Sequence, residues 1–215
     1  MKQFQSSNGT IWNFPDSEQH FIMMLNSKPE YQDHVKSFIL QHADKLDFNY
    51  VLDIGANVGL WTRWFSNIGA KKIDCFEPMK ENFECLKLNT KDLLGIDLYN
   101  TALGDSIGGI TLYTTAKNTN SGSATMFSVG ELTVPNQVLC EKLDTYDLSP
   151  TFIKIDVQGA ELKVFKGGVK MLTRCKPSLI VECEGGNSES IEFLKTLGYG
   201  VIGQAKNDYL LKFGI

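Results

Sequence analysis

The chain has 215 residues, 42% hydrophobic, 21% charged and 11% aromatic, which favours one domain with a full core and excludes global disorder. Twenty-one basic against 25 acidic residues give a net charge of −4, and without a basic field a nucleic-acid partner is not expected. The longest tight apolar run, Phe21–Leu25, is far short of the roughly 18–20 residues of a membrane span, so no membrane partner is expected either. The first nine residues lack the apolar core of a signal peptide. Five scattered cysteines form no CxxC pair and read as reduced thiols of a cytoplasmic protein, not as a zinc site or disulfide frame.

In chain order, Asn8-Gly9 between Phe4-Gln5 and Ile11-Trp12 predicts a short hairpin. Tyr31, Val35, Phe38, Ile39 and His42 follow helical spacing, predicting one amphipathic helix between Pro29 and Asp47. That helix carries His34 and His42 as surface or flank residues, and His20, alone before an apolar run, reads as structural. Residues 1–48 thus form a cover, and 49–215 the main body of a single compact domain.

From Asn49 a rhythm sets in: a short apolar strand ends in a carboxylate and a helix follows. The strands are Tyr50–Asp53, Lys72–Glu77, Phe152–Asp156 and Leu179–Glu182. The helices are Leu60–Asn67, Lys80–Thr90, Ala160–Lys166 and Ser188–Thr196, with Gly69, Gly167 and Gly198 read as stops. Such alternation predicts a parallel sheet covered on both faces. Two stretches depart from it. Residues 104–145 are a turn-rich insertion with candidate strands at Ile110–Tyr113 and Gln137–Cys140. At the end, Tyr199–Gly203 and Tyr209–Phe213 are separated by only five residues, so they must pair antiparallel and the sheet is mixed.

The chemistry-bearing residues stand at the strand ends. Asp53-Ile54-Gly55-Ala56-Asn57-Val58-Gly59 turns from the first strand into a helix. A dinucleotide GxGxxG would need glycine at 55, 57 and 60; Asn57 and Leu60 break it. What remains is an acid followed by GxNxG, a form used by S-adenosylmethionine enzymes, with Asp53 and Gly55 expected at the methionine end. Glu77-Pro78 ends the second strand 24 residues after Asp53, where an acid accepts hydrogen bonds from ribose hydroxyls and the proline starts the next helix. Lys154, flanked by Ile153 and Ile155, requires an acid partner if buried, with Asp53, Asp156 and Glu182 as candidates. An ion pair and a catalytic role both stay open for it. Glu161 reads as a charge complementing its helix dipole. In Thr114–Thr125, nine of twelve residues are Ser, Thr, Asn or Gly, either a solvent loop or a substrate lid.

Taken as a set, Asp53–Gly59, Phe76-Glu77-Pro78, Ala102-Leu103-Gly104-Asp105, Ile153–Glu161 and Ile180-Val181-Glu182 resemble the FkbM-type methyltransferases from about residue 49 to 185. The resemblance implies a class I methyltransferase fold, an α/β Rossmann-like mixed seven-stranded sheet with one late antiparallel strand. It also implies S-adenosylmethionine as cofactor and methylation of a hydroxyl on a sugar-like or other polar small molecule. Carried onto this chain, it assigns Asp53, Gly55, Ala56, Asn57, Gly59, Glu77, Pro78, Ala102, Leu103 and Asp156 to the cofactor, with Ala102-Leu103 at the adenine edge. Asp156 is the expected base, with Glu182 in reserve. Gln158 departs from the family's usual Asp-Val-Glu-Gly, leaving either a retuned site or an amide that only hydrogen-bonds the loop. No metal is expected, although Asp156, Glu161 and Glu182 carry suitable oxygens. A nicotinamide oxidoreductase and a non-catalytic cofactor-binding module are the competing readings.

Overall fold

The structure is a computed structural model that describes residues 1–27, 31–117, 119–128, 130–183 and 188–215, the side chains of Leu132 and Ser188 excepted. A hairpin, β1 (Lys2–Gln5) and β2 (Ile11–Phe14), opens the chain, with the predicted turn at Asn8-Gly9. Then come α1 (His20–Ser27) and α2 (Asp33–Leu40). The predicted helix to Asp47 is therefore two pieces: α2 and a single 3₁₀ turn at Ala43–Lys45. Its expected start, Pro29, lies outside the described residues. The break has a local cause: the His42 ring Nδ1 lies 2.9 Å from the Phe38 carbonyl and occupies an acceptor of the last turn.

The body follows as β3 (Tyr50–Ile54), α3 (Leu60–Asn67), β4 (Lys72–Phe76), α4 (Lys80–Thr90), β5 (Ile96–Tyr99) and β6 (Ala102–Leu103). It continues with β7 (Gly108–Thr115), β8 (Leu132–Glu141), β9 (Phe152–Ile155), α5 (Glu161–Gly167) and α6 (Val169–Cys175), and ends with β10 (Ser178–Glu182), α7 (Ser188–Thr196), β11 (Tyr199–Ala205) and β12 (Asp208–Phe213). Seven strands form the main sheet in the order β11-β12-β10-β9-β3-β4-β5. Neighbours are parallel throughout except at β12, which runs antiparallel to both β10 and β11. The insertion makes a separate sheet, β6-β8-β7.

Side-chain alternation sets the layers. On β3, Leu52 and Ile54 join the core on one face with Val164, Phe165, Met171 and Leu194 of α5, α6 and α7. Val51 joins the opposite core with Val35, Trp64, Phe65 and Leu86 of α2, α3 and α4. A third cluster ties Phe14, Phe21 and Leu25 of the cover to Val58, Leu60 and Cys85 of the body. Gly69 and Gly198 end helices with φ of +102° and +97°, as expected. Gly167 does not act as a left-handed stop: it closes α5, and a Cβ there would lie 1.9 Å from the Gly104 carbonyl oxygen. Close backbone approach, not a special φ, requires that glycine. All five cysteines are free, and no helix among the described residues is long and apolar enough to cross a membrane.

Candidate active site

At the tip of β3 the chain turns through Gly55 (φ +78°), Asn57 (+51°) and Gly59 (+91°). Four of the five N–H groups of this turn are spent within the protein. The N–H groups of Gly55 and Ala56 donate to the Phe76 carbonyl, that of Asn57 to Glu77 Oε2 and that of Gly59 to the Ala56 carbonyl. A pyrophosphate-binding turn must keep such groups free for its ligand, so the backbone gives a second reason, beside Asn57 and Leu60, against a dinucleotide. A Cβ at Gly55 would meet the Asp156 carbonyl oxygen at 1.9 Å, and one at Gly59 would meet Leu86 Cδ1 at 2.8 Å. Gly55 is therefore required by the backbone of the loop after β9, whereas Gly59 faces α4 side chains and is required by its left-handed φ.

Glu77 stands at the tip of β4, 4% exposed. Its Oε2 accepts from Asn57 N–H at 2.9 Å and its Oε1 from Met79 N–H at 2.9 Å, with Asn82 Nδ2 at 3.4 Å. Burial raises its pKa to about 7 against these bonds, which favour the ionised form. Glu77 also lines the cavity described below.

A charged cluster occupies the tips of β3, β9, β10 and β12. Lys154 Nζ donates to the Gly55 carbonyl at 3.2 Å and pairs with Asp156 Oδ2 at 3.5 Å and Asp53 Oδ1 at 3.8 Å. Burial pulls this ammonium down, but the carboxylates of Asp156, Asp53 and Glu182 outweigh it and hold the lysine above its usual range. Asp53 is fully buried, accepts from Thr62 Oγ1 at 2.6 Å, and is raised by burial. Gln158, in the left-handed region at φ +52°, donates its Nε2 to Asp156 Oδ1 at 2.9 Å; a glutamate there would set a second acid against Asp156. Glu182 is raised to about 8 by burial and by Asp156 and Asp208, and Asp208 to about 7 by burial and Asp156. Gln32 bridges to this cluster, accepting from Trp61 Nε1 at 2.6 Å and donating to Glu182 Oε2 at 3.4 Å. Tyr31, held far above the usual phenol range by burial and then by Asp156 and Glu182, faces the same group.

These groups line one cavity of about 470 Å³, within the size range of small-molecule sites. Gly55, Ala56, Asn57, Glu77, Pro78, Ala102 and Leu103 line one part; Lys154, Asp156 and Glu182 line another. Asp53 and Gly59 are not among the lining residues. Asp53 lies one layer back, as the partner of Lys154 and Thr62, and Gly59 caps α3 against α4. Asp53 thus differs from its expected place at the methionine end. Glu161 also stands apart, buried, with Oε1 accepting from Gly159 N–H and Oε2 unpartnered. Among the described residues no group of three or more His, Cys, Asp or Glu side chains is arranged to hold a metal ion.

The polar loop forms the roof. Ser121 N–H donates to Glu18 Oε2 at 2.7 Å and Ser121 Oγ to Asn57 Oδ1 at 3.2 Å, while Asn82 Nδ2 donates to the Ser121 carbonyl at 2.9 Å. Glu18 Oε1 accepts from Phe21 N–H at 2.8 Å, which ties the start of α1 to the same residue. Asn120, Ser121 and Gly122 line the cavity, as the lid alternative required. Residues not singled out from sequence are Glu18, Tyr31, Gln32, Trp61, Asn82 and Asp208, all supplied by packing between distant segments.

Residues 53–201 match the methyltransferase FkbM domain model, well over half of the chain. The chain belongs to the FkbM methyltransferase family. No curated protein matches it in sequence. Among solved structures, methyltransferase FkbM from Methylobacillus flagellatus KT is similar with a TM-score of 0.57 at 16% identity, over 77% of this chain and 43% of that one. This chain thus spans less than half the length of that FkbM structure. A protein assigned as a methyltransferase, yhhF from Escherichia coli, matches at TM-score 0.56 and 9% identity over 99% and 98% of the two chains. Magnesium protoporphyrin IX methyltransferase (ChlM) from Synechocystis PCC 6803, with bound SAM, matches at 0.51 and 8% over 83% and 75%. At these identities the likeness establishes the fold: the FkbM-family chain has the class I methyltransferase architecture, its sheet parallel but for β12.

Proposed function

We propose that this FkbM-family protein transfers a methyl group from S-adenosylmethionine to a hydroxyl of a sugar-like or other polar small molecule. The observation that carries the reading is one cavity shared by two carboxylates of different character: Glu77, buried and held by backbone donors, and Asp156, half-buried beside a lysine. The lining fits the cofactor. Glu77 suits a ribose, Ala102 and Leu103 offer the apolar edge an adenine needs, and the turn at 55–59 leaves the N–H groups of Gly55, Ala56, Asn57 and Gly59 no freedom to cradle phosphate. When bound, S-adenosylmethionine supplies a methyl group on a positively charged sulfur, so departure of the sulfur needs no acid.

The protein then has two tasks, alignment and proton removal. Asp156 takes the proton of the acceptor hydroxyl. Gln158 fixes Asp156 Oδ1 through its amide, and Lys154 pairs with Asp156 Oδ2 from the other side. The roof of Asn120, Ser121 and Gly122 excludes water and presents amides and a hydroxyl suited to a polyhydroxylated acceptor. The acidic lining of this end disfavours a polyanionic RNA acceptor.

Calorimetry with S-adenosylhomocysteine and NAD, followed by turnover of S-adenosylmethionine with a panel of glycosides and polyols, tests the reading. Binding of S-adenosylhomocysteine alone together with acceptor-dependent release of that product supports it. Preferential binding of NAD, or cofactor binding without turnover on any hydroxyl acceptor, refutes it.

A further inference from the structure

We propose that the acceptor carries an ammonium group, held between Glu182 and Asp208 beside the hydroxyl to be methylated. The inference rests on the methyltransferase reading and adds a charge to its substrate class.

Glu182 and Asp208 are cross-strand partners on β10 and β12, which sets their Cβ atoms about 5 Å apart. Like charges so placed repel, and a sheet tolerates them only at a cost. Both line the cavity. Asp208 is 7% exposed, and its carboxylate has no hydrogen-bond or ion-pair partner among the described residues. Glu182 receives the 3.4 Å contact from Gln32 and stands within hydrogen-bonding reach of Asp156. Lys154, the buried cation of this cluster, is already committed to Asp53, Asp156 and the Gly55 carbonyl. Lys206, exposed on the turn between β11 and β12, makes no ion pair among the described residues. Two carboxylates therefore face the cavity with no ion pair of their own among the described residues, Lys154 and Lys206 acting on them only from beyond ion-pair distance.

The cofactor's own positive groups do not account for them. In the strand order β12-β10-β9-β3, the turn at 55–59 follows β3, and Asp156 on the neighbouring β9 is the acid next to it. Glu182 and Asp208 lie one and two strands farther out, on the side left for the acceptor. Tyr31 lines the same cavity, and an aromatic ring suits an ammonium; the Trp61 ring beside it already carries Lys36 Nζ at 5.5 Å from its centroid. The raised pKa values of Glu182 and Asp208 agree with this: without a cation the pair retains protons near neutrality, and an ammonium releases them.

The test uses the full chain saturated with S-adenosylhomocysteine, with loading first verified by calorimetry. Methyl glucosaminide and trans-2-aminocyclohexanol are then titrated at pH 7.5, each against its N-acetyl derivative. The expected result is at least tenfold tighter binding of one or both amines than of the matching amides. Asp208→Asn and Glu182→Gln, made separately so that a folding defect in one leaves the other informative, reduce that preference to below threefold while S-adenosylhomocysteine affinity stays within twofold. Equal binding of amine and amide, no binding of either amine, or a preference that survives in both variants overturns the proposal. A tenfold loss of S-adenosylhomocysteine affinity in Asp208→Asn also overturns it, because the carboxylate then serves the cofactor. If the wild-type protein does not bind S-adenosylhomocysteine at all, the failure lies in the cofactor reading, and it is seen before any amine is added.

Discussion

Glu77 offers the sharpest test, because its two roles have separate readouts. Its pKa stands at about 7, so near neutrality it is about half protonated. Two ribose hydroxyls need the full acceptor capacity of the ionised form, because protonation turns one carboxyl oxygen into a donor. Cofactor binding therefore favours the ionised carboxylate, and affinity rises with pH. With a pKa of about 7, the bindable fraction grows roughly tenfold between pH 6 and pH 8. Calorimetry with S-adenosylhomocysteine across that range should show this slope in the wild type and a much flatter one in Glu77→Gln. The variant should also bind about 5- to 150-fold more weakly at pH 8, the equivalent of 1–3 kcal/mol for hydroxyls deprived of their acceptor. Glu77→Ala adds a structural penalty, since the Asn57 and Met79 N–H groups lose the acceptor each now has at 2.9 Å. A Glu77→Gln protein that melts normally and binds S-adenosylhomocysteine like the wild type, with the same pH slope, would refute the ribose assignment.

Asp156→Asn should retain cofactor affinity and lose about 10²- to 10⁴-fold in turnover; a parallel loss of affinity would make Asp156 a cofactor ligand, and wild-type turnover would direct attention to Glu182→Gln. Lys154→Met leaves the fully buried Asp53 without its cation, a loss of about 3–5 kcal/mol that should lower Tm by roughly 6–20 °C in scanning calorimetry; adding Asp53→Asn should restore part of it. Gln158→Glu replaces the amide that donates to Asp156 with an acid, so the ratio of turnover at pH 6 to that at pH 8 should fall below the wild-type ratio, as a pH–rate profile would show.

The strand–carboxylate–helix rhythm was legible because central parallel strands are buried on both faces and read as unbroken apolar runs. Tyr50–Ile54 and Ser178–Glu182 are of this kind. β5 (Ile-Asp-Leu-Tyr) lies at the sheet edge and carries no such run, and α6, only seven residues long, follows directly on two glycines; both escaped the sequence reading. Asp53 shows why an acid beside a glycine turn misleads. Period-two alternation puts it on the face of Val51, beneath α3, and not on the rim. Asp208 was illegible for a different reason. Its significance comes from pairing with Glu182, and that register exists only once β12 has inserted beside β10. Tyr31 and Gln32 likewise reach the site across about 150 residues of chain.

The clasp between Glu18 and Ser121 joins positions 103 residues apart and gives the protein an order of assembly. β3 with β4 and β9 with β10 pair through single crossovers. β3 with β9 closes a loop about as long as the clasp's, but a whole strand pairing repays it. The clasp is a few hydrogen bonds that need the sheet already in place. The roof is thus the last part to form and the first to open. In native-state hydrogen exchange the Ser121 and Phe21 amides, both held by Glu18, should exchange together through a low-energy opening, well ahead of the Leu52 and Ile153 amides in the sheet. Ligand entry and the earliest step of unfolding would then be the same motion.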